Sequence, residues 1–200
     1  MDCGDLRAVP RRNLPVVAHR AVVLLALLCV AGTTAAALAA AASNSEPSGA
    51  TERFTVPHAR MSLEYPANWH ITTRRLNGVI DPVTRFTVTS FTLRQSKPDA
   101  DFCARTLGKQ WPSNGAYVQV TEELDGASLK KMLRRVPPRP KRFSLASSGA
   151  GGLCTRPVSG QLMFHQLGRA FYIYYGVGSK ASTPTRHAIV AILESLRISP

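Results

Sequence analysis

The chain has 200 residues and a formal net charge of +13, from 25 lysine and arginine residues against 12 aspartate and glutamate residues. Charged residues make up 18% of the chain and hydrophobic residues 44%, which excludes a disordered polyelectrolyte. Glycine and proline number 14 each and follow no period, which excludes collagen. The composition therefore indicates a basic globular protein with room for one ordinary domain and short additional segments.

The first segment bears on the compartment of the protein. Residues 1–20 form a basic tail, and residues 21–42 contain no charged side chain. A helix over 21–42 would measure about 33 Å, enough to cross the hydrocarbon core of a membrane. The arginines that precede it predict a cytoplasmic N-terminus, with the rest of the chain outside. Two interpretations stay open: a retained signal-anchor, or a signal peptide cleaved after a small residue such as Ala40 or Ala42, which would give a secreted protein.

After a polar linker over 43–52, a globular pattern extends from 53 to 200. The apolar face of its longest predicted strand shifts between Val88 and Phe91, which predicts a β-bulge. Gly168 predicts a hairpin turn, and the strand that follows is apolar on both faces, which predicts a central position under a helix. Alternation and β-branched residues predict strands over 61–65, 69–71, 86–93, 116–121, 142–145, 161–166 and 169–175.

Helices are predicted over 99–109, over 128–135 and near the C-terminus. The last begins at a cap, Ser182 or Thr183, and carries an apolar stripe that ends at Leu196. Together these elements predict an α+β domain with a single antiparallel sheet flanked by helices, preceded by one N-terminal hydrophobic helix.

Two cysteines fall in the predicted exported domain. Cys3 lies in the basic tail and Cys29 in the hydrophobic stretch, which leaves Cys103 and Cys154. An even pair in an oxidising compartment predicts a disulfide, and the alternative is two separate buried thiols.

Positive charge is concentrated between residues 130 and 142. We interpret this segment as a patch for an anionic envelope polymer or for lipid head groups, and the alternative is a solvated helix end and loop. Nucleic acid is not expected as a partner, because the domain lies outside the cell and no aromatic residue interleaves the charges. The patch consists of Lys130, Lys131, Arg134, Arg135, Arg139, Lys141 and Arg142.

The sequence predicts no catalytic residue, metal ligand or cofactor. Glu122, Glu123 and Asp125 cluster at the end of a predicted strand, where three acidic residues are typical of a solvated rim. The histidines lack metal-ligand spacing, and no G-x-S-x-G nucleophile motif is present.

Several motifs carry a resemblance. The segment MSLEYPANWH over 61–70 resembles the strand, proline and tryptophan that open PsbP-like domains. The rest of the domain resembles uncharacterised exported or membrane-anchored actinobacterial proteins. This resemblance implies an antiparallel sheet flanked by helices and implies no activity. The motifs are Asp81-Pro82, Cys103, Gly115-Ala116-Tyr117-Val118, Glu122-Glu123, Pro138-Arg139-Pro140, Phe143, Cys154, Gly168-Arg169 and the terminal segment Ile192–Leu196.

The sequence thus predicts a membrane-anchored extracytoplasmic domain that binds a protein or an anionic component of the cell envelope without catalysis. One alternative is a secreted small-ligand-binding protein with a pocket between sheet and helix, lined by Trp69, Phe171 or Tyr174. The other is an enzyme whose site is assembled from remote residues.

Overall fold

The computed structural model describes residues 46–145, 149–150 and 159–200. These residues form an α+β fold with two antiparallel sheets and three α-helices, which confirms the predicted class. The predicted hydrophobic helix over 21–42 lies outside the described residues. Within the described ranges, no helix is long and apolar enough to span a membrane.

The smaller sheet has three strands in the order β1-β2-β9. They are β1 (Thr51–Val56), β2 (Met61–Pro66) and β9 (Arg197–Ile198). In β2 the side chains of Met61, Leu63 and Tyr65 are buried and the residues between them are not, as the alternation predicts. The expected single sheet is therefore wrong, because β2 pairs with β1 and with the C-terminal strand rather than with the other strands.

The larger sheet has six strands in the order β3-β4-β5-β8-β7-β6. Strand β8 lies between β5 and β7, which confirms its predicted central position. The bounds are β3 (His70–Thr72), β4 (Val83–Thr89), β5 (Ala116–Glu123), β6 (Gly149–Ala150), β7 (Ser159–Gln166) and β8 (Arg169–Val177).

Strand β4 differs from its prediction in its bounds and in the position of its irregularity. It begins at Val83 and ends at Thr89, where the threonine hydroxyl donates to the carbonyl of Phe91 at 2.7 Å. The irregularity in its pairing with β5 lies between Thr84 and Phe86, earlier than predicted. The shift of apolar face between Val88 and Phe91, which predicted a bulge, occurs where the chain leaves the sheet after Thr89.

The hairpin between β7 and β8 confirms the predicted turn. Gln166 pairs with Arg169, and the two residues between them have positive φ angles, 54° at Leu167 and 71° at Gly168. Two-residue turns of this kind match the right-handed twist of paired strands, and glycine adopts a positive φ without steric cost.

The predicted strand over 142–145 is wrong. The residues that contact β7 are the preceding prolines: the amide of His165 donates to the carbonyl of Pro137 at 2.9 Å, and the amide of Arg139 donates to the carbonyl of His165 at 3.0 Å. Proline offers no amide donor, so the pairing stops at one bridge instead of extending into a strand. Phe143 is buried in the main core nonetheless.

The helices are α1 (Arg105–Gln110), α2 (Gly126–Arg135) and α3 (Thr183–Ser195). Ser182 caps α3 by accepting a hydrogen bond from the amide of Thr185 at 3.2 Å, and Pro184 lies in the first turn. The predicted stripe is confirmed, since its four residues are buried: Ile189, Ile192, Leu193 and Leu196.

The two faces of the larger sheet have different surroundings. Val118 and Val120 of β5 belong to the main apolar core, which also contains side chains of β2 and α3. Tyr117 points to the other face, where it belongs to a smaller apolar cluster. Because side chains alternate along a strand, Gln119 and Thr121 share that second face. Polar side chains therefore lie on the face that is turned away from the main core.

Candidate functional site

The predicted basic segment forms α2 and the loop that follows it. Asp125 caps the helix by accepting a hydrogen bond from the amide of Ser128 at 2.8 Å, and this bond lowers the pKa of Asp125. Met132 is buried and anchors the helix on the domain. The spacing of Lys130, Lys131, Arg134 and Arg135 places them around the remaining surface of α2, where all four are exposed.

We call the exposed members of this segment the basic surface: Lys130, Lys131, Arg134, Arg135, Lys141 and Arg142. The salt bridges of the described residues involve other cations, so none of these six has a carboxylate within 4.0 Å in the described part of the chain. Uncompensated like charges that are grouped together produce a positive potential, which attracts anionic partners.

Arg139 does not belong to the basic surface, contrary to the prediction. Its guanidinium donates to the carbonyls of Leu196 at 2.6 Å and Leu193 at 3.1 Å, at the end of α3. It also lies 5.5 Å from the ring centre of Phe143. Burial and the neighbouring charge of Arg197 lower its pKa. The proline-rich segment thus directs this side chain inward, where it has a structural role.

Of the three clustered carboxylates, Asp125 is exposed as predicted, whereas Glu122 and Glu123 are buried and do not form a solvated rim. Glu122 is 4% exposed and accepts hydrogen bonds from Arg85 and Arg169, each at 2.7 Å. Burial alone would raise the pKa of Glu122, but the bonds from the two arginines outweigh it and lower the pKa. Glu122 is therefore held as an anion between two cations.

Glu123 has the opposite environment. It is buried beside Asp81, and burial together with a hydrogen bond to that carboxyl group raises its pKa. The carboxylate of Asp81 in turn accepts the amides of Leu124 at 3.1 Å and Asp125 at 2.8 Å. These contacts join the end of β5 to the loop before β4. No group of three or more metal-ligating side chains occurs among the residues described.

Of the residues named for a small-ligand pocket, Tyr174 lines a cavity, whereas Trp69 and Phe171 are buried in the main core. The cavity measures about 160 Å³ and lies over the second face of the larger sheet, and none of the described residues that line it is charged. Its polar floor includes Gln119, which the sequence did not single out. A lone glutamine between two valines of a predicted strand is the only signal for it.

Of the two cysteines in the predicted exported domain, Cys103 is among the described residues and Cys154 is not. Cys103 is disulfide-bonded. The pairing of Cys103 with Cys154 therefore stays a prediction. Mass mapping of a non-reduced digest of the full chain should yield one peptide pair that joins these two cysteines. A digest in which Cys103 is linked to Cys3 or Cys29 would contradict it.

Comparisons with protein-family models, with curated proteins and with solved structures find no match to this chain.

Proposed function

We propose that the domain is a non-catalytic, extracytoplasmic binding domain that attaches to an anionic polymer of the cell envelope through the basic surface. Residues 21–42 would hold it at the membrane as a single-pass anchor with the N-terminus inside; the alternative is secretion after signal cleavage. We also propose that the domain is related to PsbP-like and actinobacterial exported proteins. The strand, proline and tryptophan of residues 61–69 support this relationship.

One observation carries the proposal: six exposed cations lie within residues 130–142, and none of them has a carboxylate partner within the described residues. A surface that serves only for solubility is usually a mixture of both signs. A surface of one sign supports attraction of a polyanion, whose phosphate or carboxylate groups arginine and lysine bind well.

The test compares two fourfold charge reversals in the full chain. The first replaces Lys130, Lys131, Arg134 and Arg135 with glutamate. The control replaces four exposed cations from separate parts of the chain in the same way, so that net charge changes equally: Arg75, Lys109, Lys180 and Arg197. We expect the first variant to bind immobilised polyphosphate or polyglutamate about tenfold more weakly than the wild type at 0.1 M salt, and the control to bind much as the wild type does.

Salt provides the second readout. The Debye length falls from about 10 Å at 0.1 M to about 3 Å at 1 M, so binding should disappear at the higher concentration. The polyphosphate and polyglutamate arms distinguish a phosphate polymer from a carboxylate polymer. Equal weakening of both variants would show that net charge alone governs retention, and would overturn the assignment to the basic surface.

A further inference from the structure

We propose that a cavity between the segment after β3 and the segment after β4 binds a small anionic amphiphile, that is, an apolar molecule with one carboxylate or phosphate group. The cavity measures about 310 Å³, and its lining residues lie between 72 and 76 and between 93 and 98. We call it the cationic cavity, after Arg74, Arg75 and Lys97 in its lining. This site is separate from the basic surface and does not depend on it.

The charge of the lining points to an anion. Three cations line the cationic cavity, and no acid does so among the residues that the structure describes. Arg74, Arg75 and Lys97 are exposed, and none of them forms a salt bridge with a described carboxylate. Asp99, the acid nearest to Lys97 along the chain, accepts the amide and the hydroxyl of Thr106 at 2.8 and 2.7 Å. A cleft with charges of one sign and walls of low dielectric constant focuses the electric field and concentrates counter-ions.

The apolar part of the lining shows that the ligand is more than a simple ion. Leu76 belongs to the smaller apolar cluster, Leu93 packs against that cluster, and Pro98 also lines the cavity. An inorganic ion would leave this apolar surface in contact with water, whereas a hydrocarbon group would cover it. An apolar cavity of about 150 Å³ accommodates one benzene molecule, and this cavity has about twice that volume. A hydrocarbon chain of several carbon atoms with one acidic group fits these conditions.

The two segments that enclose the cavity are joined by hydrogen bonds. The carbonyl of Leu76 accepts the side-chain amide of Gln95 at 2.8 Å and the backbone amide of Asp99 at 3.1 Å. The second segment is also attached to α1, because the side chain of Gln110 bonds both the amide of Arg94 at 2.7 Å and its carbonyl at 2.6 Å. A cavity whose walls are fixed before binding reduces the entropy that is lost when a ligand binds.

The test titrates three probes into the purified full chain and follows each by ¹H–¹⁵N NMR. Octanoate has a charge and a chain, octan-1-ol has the chain alone, and acetate has the charge alone. We expect octanoate to shift the backbone amides of residues 74–76 and 93–97, and to bind about tenfold more tightly than either of the other probes. A tenfold ratio corresponds to about 1.4 kcal/mol. Octyl phosphate, titrated in parallel with octanoate, distinguishes a phosphate ligand from a carboxylate ligand.

Two triple variants identify the charges responsible. The first neutralises the cations of the cavity with Arg74→Gln, Arg75→Gln and Lys97→Gln. It should bind octanoate no more tightly than octan-1-ol, whose own binding should stay unchanged. The control neutralises two arginines and one lysine that are exposed and do not line the cavity, and it should keep the tenfold preference: Lys180→Gln, Arg186→Gln and Arg197→Gln. All six side chains are exposed, so both variants should fold, and the same NMR spectra check this.

Equal binding of octanoate and octan-1-ol to the wild type would overturn the proposal, and so would acetate that binds as tightly as octanoate. These comparisons need no variant. An equal loss of octanoate binding in the two triple variants would show that net charge alone attracts the probe, and would also overturn the assignment. The charge reversal of Lys130, Lys131, Arg134 and Arg135 should leave octanoate binding at the cationic cavity unchanged, which separates this site from the proposed function.

Discussion

Replacement of Glu122 with alanine should lower the free energy of unfolding by about 3 kcal/mol. The carboxylate is shared by Arg85 and Arg169, whose side chains are 18% and 20% exposed. Without it, two guanidinium groups lie close together in a largely buried position with no counter-charge. Removal of one partner from a buried ion pair costs about 3–5 kcal/mol, and partial hydration of the arginines places our expectation at the lower end.

Urea denaturation followed by tryptophan fluorescence measures this effect, and the exposed pair of Arg53 and Glu64 provides the control. These two side chains are 63% and 49% exposed, with 3.5 Å between the charged atoms. Exposed pairs contribute between zero and about 1 kcal/mol, so Glu64→Ala should change stability by less than that. Similar losses in the two variants would contradict a special role for the buried cluster.

The same cluster predicts the response to acid. The pKa of Glu122 lies below its ordinary value in the folded chain. Its contribution to stability is therefore complete above the ordinary glutamate pKa, and it is lost as the pH falls through the lower, folded-state pKa. In Glu122→Gln this part of the acid sensitivity should be absent, so the stability difference between wild type and variant should shrink as the pH is lowered.

Elements with strong local signals could be predicted from the sequence. The cap at Ser182, the proline after it and the apolar stripe define α3 within a few residues. The alternation of β2 and the turn at Gly168 likewise depend on neighbours in the chain, which sequence patterns contain. These signals act over one or two helical turns or one hairpin.

Features that depend on distant residues could not be predicted. Strand β2 joins a second sheet because its partner β9 comes from the end of the chain. From the sequence Glu122 resembles a solvated acid, because its partners Arg85 and Arg169 lie on neighbouring strands that are distant along the chain. The predicted strand over 142–145 is absent from the described structure, and the prolines before it pair with His165 instead. In each case long-range pairing decided the outcome.

The candidate site likewise combines features that could be predicted from the sequence with features that could not. The charges of the basic surface could be read from the sequence, because a run of cations at helical spacing leaves several of them exposed. Arg139 belongs to the same run by composition and differs only in its surroundings. The position of Gln119 at a cavity could not be predicted, since the cavity is formed by three strands and a loop.

Replacement of Arg139 with methionine should lower the free energy of unfolding by about 2–3 kcal/mol. Methionine keeps an apolar chain against Phe143 but removes the donors to the carbonyls of Leu193 and Leu196. The last carbonyls of a helix have no partner within the helix, and a cation there also complements the helix dipole. The loss of stability should therefore be localised where α3 ends and β9 begins.

Arg142→Met is the matched control, because Arg142 is an exposed arginine of the same segment without an ion-pair partner in the described part of the chain. It should change stability by less than about 0.5 kcal/mol. Arg139→Lys should fall between the two, since lysine keeps the charge but lacks the planar fork that reaches two carbonyls. Hydrogen exchange should accelerate in the last turn of α3 in Arg139→Met and stay unchanged in Arg142→Met. Equal stability of these two variants would mean that Arg139 is an ordinary member of the basic run.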